Sequence, residues 1–94
     1  MIIQLTTSFS VELTYHAIEQ IEYRDINYDW IRESLLNPIK IENDPNELSL
    51  KWAFGKIDCA DGKMRILKVV DNNSENPWKV ITLHFDRGAK RKLL

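Results

Sequence analysis

Hydrophobic and polar residues alternate along FSVEL (9–13). Phe9, Val11 and Leu13 fall on one side, Ser10 and Glu12 on the other, which is the period of a strand. IIQL (2–5) extends that strand or pairs with it. The period then lengthens. Between Tyr15 and Arg24, Ala17, Ile18 and Ile21 form one apolar stripe, as on an amphipathic helix. Thr14 is placed to cap it, since its hydroxyl can accept an amide hydrogen bond from the first turn. A second helix is predicted over Tyr28–Leu36, capped by Asn27, with Asp29 near its positive end and Tyr28, Ile31 and Leu35 facing inward. Asn37-Pro38 ends it, because a residue before proline avoids helical angles.

Strand patterns fill the rest of the chain. IKI (39–41) is short and runs into the turn NDPN. In ELSLKWAFGKI, Leu48, Leu50, Trp52 and Phe54 lie on one face, and Ser49, Lys51 and Ala53 on the other. ADGK is a hairpin signal, since Asp-Gly tolerates positive φ. MRILKVV follows, then the polar loop DNNSENP. KVITLHF places Ile81, Leu83 and Phe85 on one face and Val80, Thr82 and His84 on the other. Helices this short need a sheet to pack on. The order therefore predicts an α+β domain: an N-terminal strand, then two short helices on one face of a three- to four-stranded antiparallel sheet.

Composition narrows the class. A chain of 94 residues has room for one domain. With 44% hydrophobic and 29% charged residues it has the balance of a soluble globular protein. The single cysteine, Cys59, excludes an intrachain disulfide and a stapled secreted scaffold. No apolar run reaches the ~20 residues of a membrane span, and MIIQLTTSFSVEL lacks the basic stretch of a signal peptide. The expectation is a cytoplasmic protein without membrane contact.

The net charge of −1 conceals an asymmetry. Residues 1–50 hold nine acids and three bases; residues 51–94 hold ten bases and five acids. The tail, about 87–94, carries Arg87, Lys90, Arg91 and Lys92. Such a segment contacts phosphates or stays a solvated, frayed end.

The candidate chemistry centres on the first helix. His16, Gln20 and Tyr23 share a polar stripe, and Arg24 borders the core. The wet side of an ordinary amphipathic helix has this pattern, and so does a working face. In favour of the second, the positive end of the macrodipole favours a neutral imidazole at His16, the form a general base requires. His16, His84 and Cys59 lack metal-ligand spacing, so neither a metal nor another cofactor is expected. Trp30 and Trp52 read as packing residues. Trp78, after a proline in a loop, is the aromatic best placed to stack on a base.

The run TYHAIEQIEYRDIN, a helix ending LLNP, the segment IEND, an Asp-Gly hairpin and a final VITLHF together resemble a known family. It is a small bacterial domain of unknown function marked by a helix-opening His-Ala, an Arg before an Ile and a helix ending Asn-Pro, grouped with RelE-like and BrnT-like ribonuclease toxins. The resemblance covers about residues 9–86. It implies a β-α-α-β-β-β fold, a single RelE/BrnT-like domain over 1–94, and metal-independent RNA cleavage. In that picture His16 is the base, Arg24 and Arg65 hold the phosphate, Thr82 orients it, and His84 is the acid. Lys51, Lys68, Arg87, Lys90 and Arg91 would contact RNA. The implied partners are RNA and a small antitoxin protein, and a homodimer is compatible with it. Two rival classes remain open: a non-catalytic module binding nucleic acid or protein, and an interaction domain using an exposed strand edge.

Overall fold

Both caps form where the sequence places them in a computed structural model describing residues 1–94. Thr14 Oγ1 accepts from the amide of Ala17 at 3.1 Å and starts α1, Tyr15–Arg24. Asn27 Oδ1 accepts from the amide of Asp29 at 2.8 Å and starts α2, Tyr28–Leu36. Asp25 ends α1 by taking a left-handed conformation (φ 53°). The Ile26 amide then bonds back to the Ile21 carbonyl at 2.9 Å, and the Ile26 side chain enters the core.

The strands are β1, Ile2–Thr6; β2, Phe9–Leu13; β3, Lys40–Asn43; β4, Lys51–Asp58; β5, Met64–Asn72; and β6, Trp78–Phe85. The α+β class holds, but the sheet has six strands, in the order β1-β2-β6-β5-β4-β3. It is also mixed rather than wholly antiparallel, because β6 returns to lie parallel to β2. Thr14 fastens this junction, its amide donating to the Val80 carbonyl at 3.1 Å and its hydroxyl to the Ile81 carbonyl at 2.8 Å. One threonine thus caps a helix and ties it to a strand more than sixty residues away. Such a long-range pairing has no local signature, so strand patterns alone missed it.

α1 and α2 cover one face of the sheet. Val11, Leu13, Ala17, Ile21, Ile31, Leu35, Leu67, Val69, Val80 and Leu83 pack together beneath them. β4 alternates as its sequence pattern predicts, but it is Ala53 and Ile57 that join the helix-side core, while Trp52 and Phe54 lie on the second face. Other positions depart from the pattern. Leu48 stands 90% exposed in the loop before the strand. In β6, Asp71 pairs with Val80 and Val70 with Thr82, so Ile81 is an extra residue. This bulge brings Val80 onto the core side with Leu83. Tyr28 is exposed, and Ser34 is buried in its place on α2. Trp78 begins β6 instead of lying in the loop, and its ring meets Phe9 edge-on at 5.0 Å, partly buried against the core.

The basic tail is helical. Asp86 Oδ1 accepts from the Ala89 amide at 2.9 Å and caps α3, Arg87–Leu93. The Asp86 amide donates to the Ile66 carbonyl at 2.8 Å, which anchors the start of α3 on β5. Lys90, Arg91 and Lys92 occupy its last turn, where the negative end of the helix dipole favours cations. α3 sits on the second face of the sheet, beside Phe54 and Trp52. No helix is long and apolar enough to cross a membrane.

Candidate nucleic-acid interface

Residues from five segments converge at the end of the sheet where β5 begins and β6 finishes. Arg24 comes from the last turn of α1 and Lys63 from the Asp-Gly hairpin. Arg65 and Ile66 come from β5, Phe85 ends β6, and Arg87, Lys90 and Arg91 come from α3. Together with Asp86 they line a groove of about 540 Å³. Six of its nine lining side chains are cations and one is an acid. The acidic first half of the chain contributes only Arg24.

Arg65 is the one cation of the groove held by a carboxylate. Its guanidinium grips Asp61 through two hydrogen bonds, Nη1 to Oδ1 at 3.0 Å and Nη2 to Oδ2 at 2.8 Å. That bidentate pair holds the Asp61 carboxyl well below the usual range and raises the Arg65 guanidinium further above its own. Gly62 makes the clamp feasible by taking φ 80° in the turn. Arg24 donates from Nε to Gln20 Oε1 at 3.1 Å, which leaves its terminal nitrogens for other acceptors. Lys63, Arg87, Lys90 and Arg91 make no ion pair.

On the second face, Lys68 and His84 are directly opposed on β5 and β6, and Thr82 lies two residues before His84 on the same side. The Lys68 ammonium sits 3.4 Å from the centroid of the Trp52 ring. The Trp52 indole donates to Asp44 Oδ2 at 3.0 Å. His84 is partly buried. Burial, reinforced by the nearby Lys68 and Arg24 charges and opposed by Asp86, moves its pKa below the ordinary histidine value. The shift favours the neutral ring.

The candidate residues thus fall into three groups. Arg24, Arg65, Arg87, Lys90 and Arg91 come together in the groove. Thr82, His84 and Lys68 form a second cluster, joined to the groove by the field of Arg24 at His84. His16 and Lys51 stand apart from both. His16 is exposed in the first turn of α1, about 12 Å along the helix axis from Arg24. Lys51 opens β4 opposite Asp71, its ammonium on Asn43 Oδ1. Sequence reading missed Lys63 and the Asp61 clamp. The signal was present in DGKMR, where two cations flank one residue after a tight turn.

A family model, described as a domain of unknown function (DUF4258), matches residues 13–84, most of the chain. The chain belongs to that family. The match begins at Leu13, next to the Thr14 cap, and ends at His84, so it takes in the second-face cluster and Arg24, Lys63 and Arg65 of the groove, but not α3 and its three groove cations. No curated protein and no solved structure gives a significant match.

Proposed function

We propose that this domain binds RNA, gripping the phosphate backbone in the groove between α1, the hairpin and α3. The observation that carries this reading is the convergence of Arg24, Lys63, Arg65, Arg87, Lys90 and Arg91 on one concave surface, in a chain whose net charge is −1. A uniformly solvated set of cations would not collect from four elements on one side. Arginine forks suit phosphate oxygens, and each phosphate neutralised releases counterions. Lys90→Glu/Arg91→Glu is expected to weaken binding of single-stranded RNA about tenfold or more, and to flatten the salt dependence by roughly 1.4 in log–log slope. Fluorescence anisotropy across a salt series reads both. Unchanged affinity and slope would remove the groove from consideration.

A second reading joins the second-face cluster to the groove and adds chemistry: a toxin-like, metal-independent endoribonuclease of the RelE/BrnT kind. The neutral His84 beside the field of Arg24 favours it. In this version His84, rather than the distant His16, accepts the proton of a ribose 2′-OH. The 2′ oxygen bonds to phosphorus, and the P–O5′ bond breaks. A 2′,3′-cyclic phosphate remains, and the departing 5′ oxygen takes a proton from water. Arg24 and Arg65 hold the charged phosphorane, and Thr82 orients it from the neighbouring position on β6. A small acidic antitoxin would silence such an enzyme by covering the groove.

His84→Gln is expected to abolish cleavage while leaving RNA affinity within about twofold of wild type. Since a base works only when neutral, the lowered pKa places the acid limb of the rate profile below the ordinary histidine value near 6.5. Cleavage of a fluorescent RNA from pH 4 to 8 in the presence of EDTA, with growth and mRNA integrity in cells expressing each form, checks this. RNA that is bound but stays intact would leave the binding module as the function.

A further inference from the structure

The outer edge of the sheet carries a pattern that nothing within the chain uses. β3 is its last strand. The Asp44 amide, one residue past β3, donates to the Leu50 carbonyl of the neighbouring segment at 3.1 Å. Successive residues of an antiparallel strand point their backbone groups to opposite sides in the plane of the sheet. Lys40, Glu42 and Asp44 therefore direct theirs at β4, and Ile41 and Asn43 direct theirs outward.

The side chains sort themselves as well. Ile41 lies opposite Ala53, on the helix side of the sheet, while Lys40 and Glu42 lie opposite Phe54 and Trp52, on the other. Ile41 is 60% exposed, and Leu36 and Ile39, which lead from α2 into β3, are 42% exposed each. Apolar side chains beside unpaired backbone groups make a template for another strand.

We propose that β3 pairs antiparallel with β3 of a second copy of this chain, about a two-fold axis through Ile41, joining the two sheets into one. In that register Ile41 faces the partner's Ile41, and their outward N–H and C=O groups bond to each other. Lys40 faces the partner's Glu42, and Glu42 faces the partner's Lys40. Both are non-hydrogen-bonded pairs, the closer kind, in which opposite charges attract most.

Charge selects this occupant and this register. A lone lysine on an edge strand repels its own copy and keeps the edge free. Here a glutamate stands two residues from the lysine on the same face, and the two already pair at 2.9 Å within one chain. The two-fold converts that exposed local pair into two cross-strand pairs. The opposite edge, β1, reads IIQLT and carries no charge to set a register.

Sedimentation equilibrium over a concentration series tests the proposal on the full chain. Wild type is expected to show a monomer–dimer equilibrium. Lys40→Glu alone, or Glu42→Lys alone, places like charges across both pairs and should raise the dimer Kd about tenfold. The swapped double variant, Lys40→Glu/Glu42→Lys, should return it to near the wild-type value. Ile41→Lys should leave only monomer. All of these positions are solvent-exposed or nearly so, and circular dichroism confirms that each variant folds. A wild type that stays monomeric throughout, a dimer indifferent to the single swaps, or a double swap that fails to restore it would each overturn the proposal.

Discussion

Gly55→Ala is expected to destabilise the fold by about 3 kcal/mol or more, the upper range for overpacking a well-filled site. The local rule points the other way: glycine inside a strand costs backbone entropy, and alanine should recover about 0.5–1 kcal/mol. Packing decides the sign. Gly55 lies in β4 under α2, where an added Cβ would come within 2.7 Å of the Ser34 Cα and closer still to its hydroxyl. Ser34 is fully buried and its hydroxyl donates to the Trp30 carbonyl at 2.8 Å, so it has nowhere to turn. A backbone atom cannot rotate aside, and the helix would have to lift from the sheet. Because α2 rests on β4 and β5 and Trp30 meets Phe85 at 5.9 Å, the disturbance spreads to the floor of the cationic groove. Urea unfolding of the variant checks the claim. A midpoint equal to or above that of wild type would show that the helix stands off further than the structure describes.

Asp71→Asn is expected to remove a pH-dependent weakness. Asp71 is 2% exposed, and its Oδ1 has no hydrogen-bond partner. Burial, only partly offset by the charge of Lys51 across the strand, pushes its pKa up to about 6 from an ordinary 3.8. With the folded value above the unfolded one, the protonated form favours the native state. That stability is complete below pH 4 and is lost as pH rises through about 6. At 1.36 kcal/mol per pH unit the loss is about 3 kcal/mol. The depressed pKa values of Asp44 and Asp61 act with the opposite sign and in a window below pH 4. The lowered His84 pKa destabilises the fold on acidification below about 6.5. Those three groups are common to both proteins and cancel in the comparison. The two stability curves should meet near pH 4 and part by about 3 kcal/mol by pH 7, the variant being the more stable. Parallel curves in urea titrations at pH 4, 5, 6 and 7 would mean that Asp71 finds a partner on ionising.

α1 and α2 were readable from the sequence because their signals are local. Thr14 and Asn27 are capping residues next to the segments they cap. The left-handed turn at Asp25 follows directly on the last turn of α1, and Asn37-Pro38 sits at the end of α2. The hairpin was readable for the same reason, since Asp61-Gly62 carries its own turn chemistry. Side-chain direction was less readable. β4 alternates apolar residues on both faces, because α1 and α2 cover one and α3 partly covers the other. The bulge at Ile81 moves Val80 across the sheet with no mark in the local pattern. Arg24 and Arg65 were visible as phosphate-binding candidates, but their meeting with the α3 cations depends on where β6 ends over β5.

The sequence by itself determined α1 and α2 and their caps, the hairpin, the α+β class, and the basic character of the C-terminal half, but not the helical form of the tail. Each rests on interactions spanning a few residues. Only the tertiary structure decided that β6 lies parallel to β2, that six cations share one groove with His84 near it and His16 apart from it, and that Gly55 has no room for a methyl group. Those outcomes rest on contacts between segments far apart in the chain. Such contacts are set by which faces can be buried together at once, and no short window of residues records that.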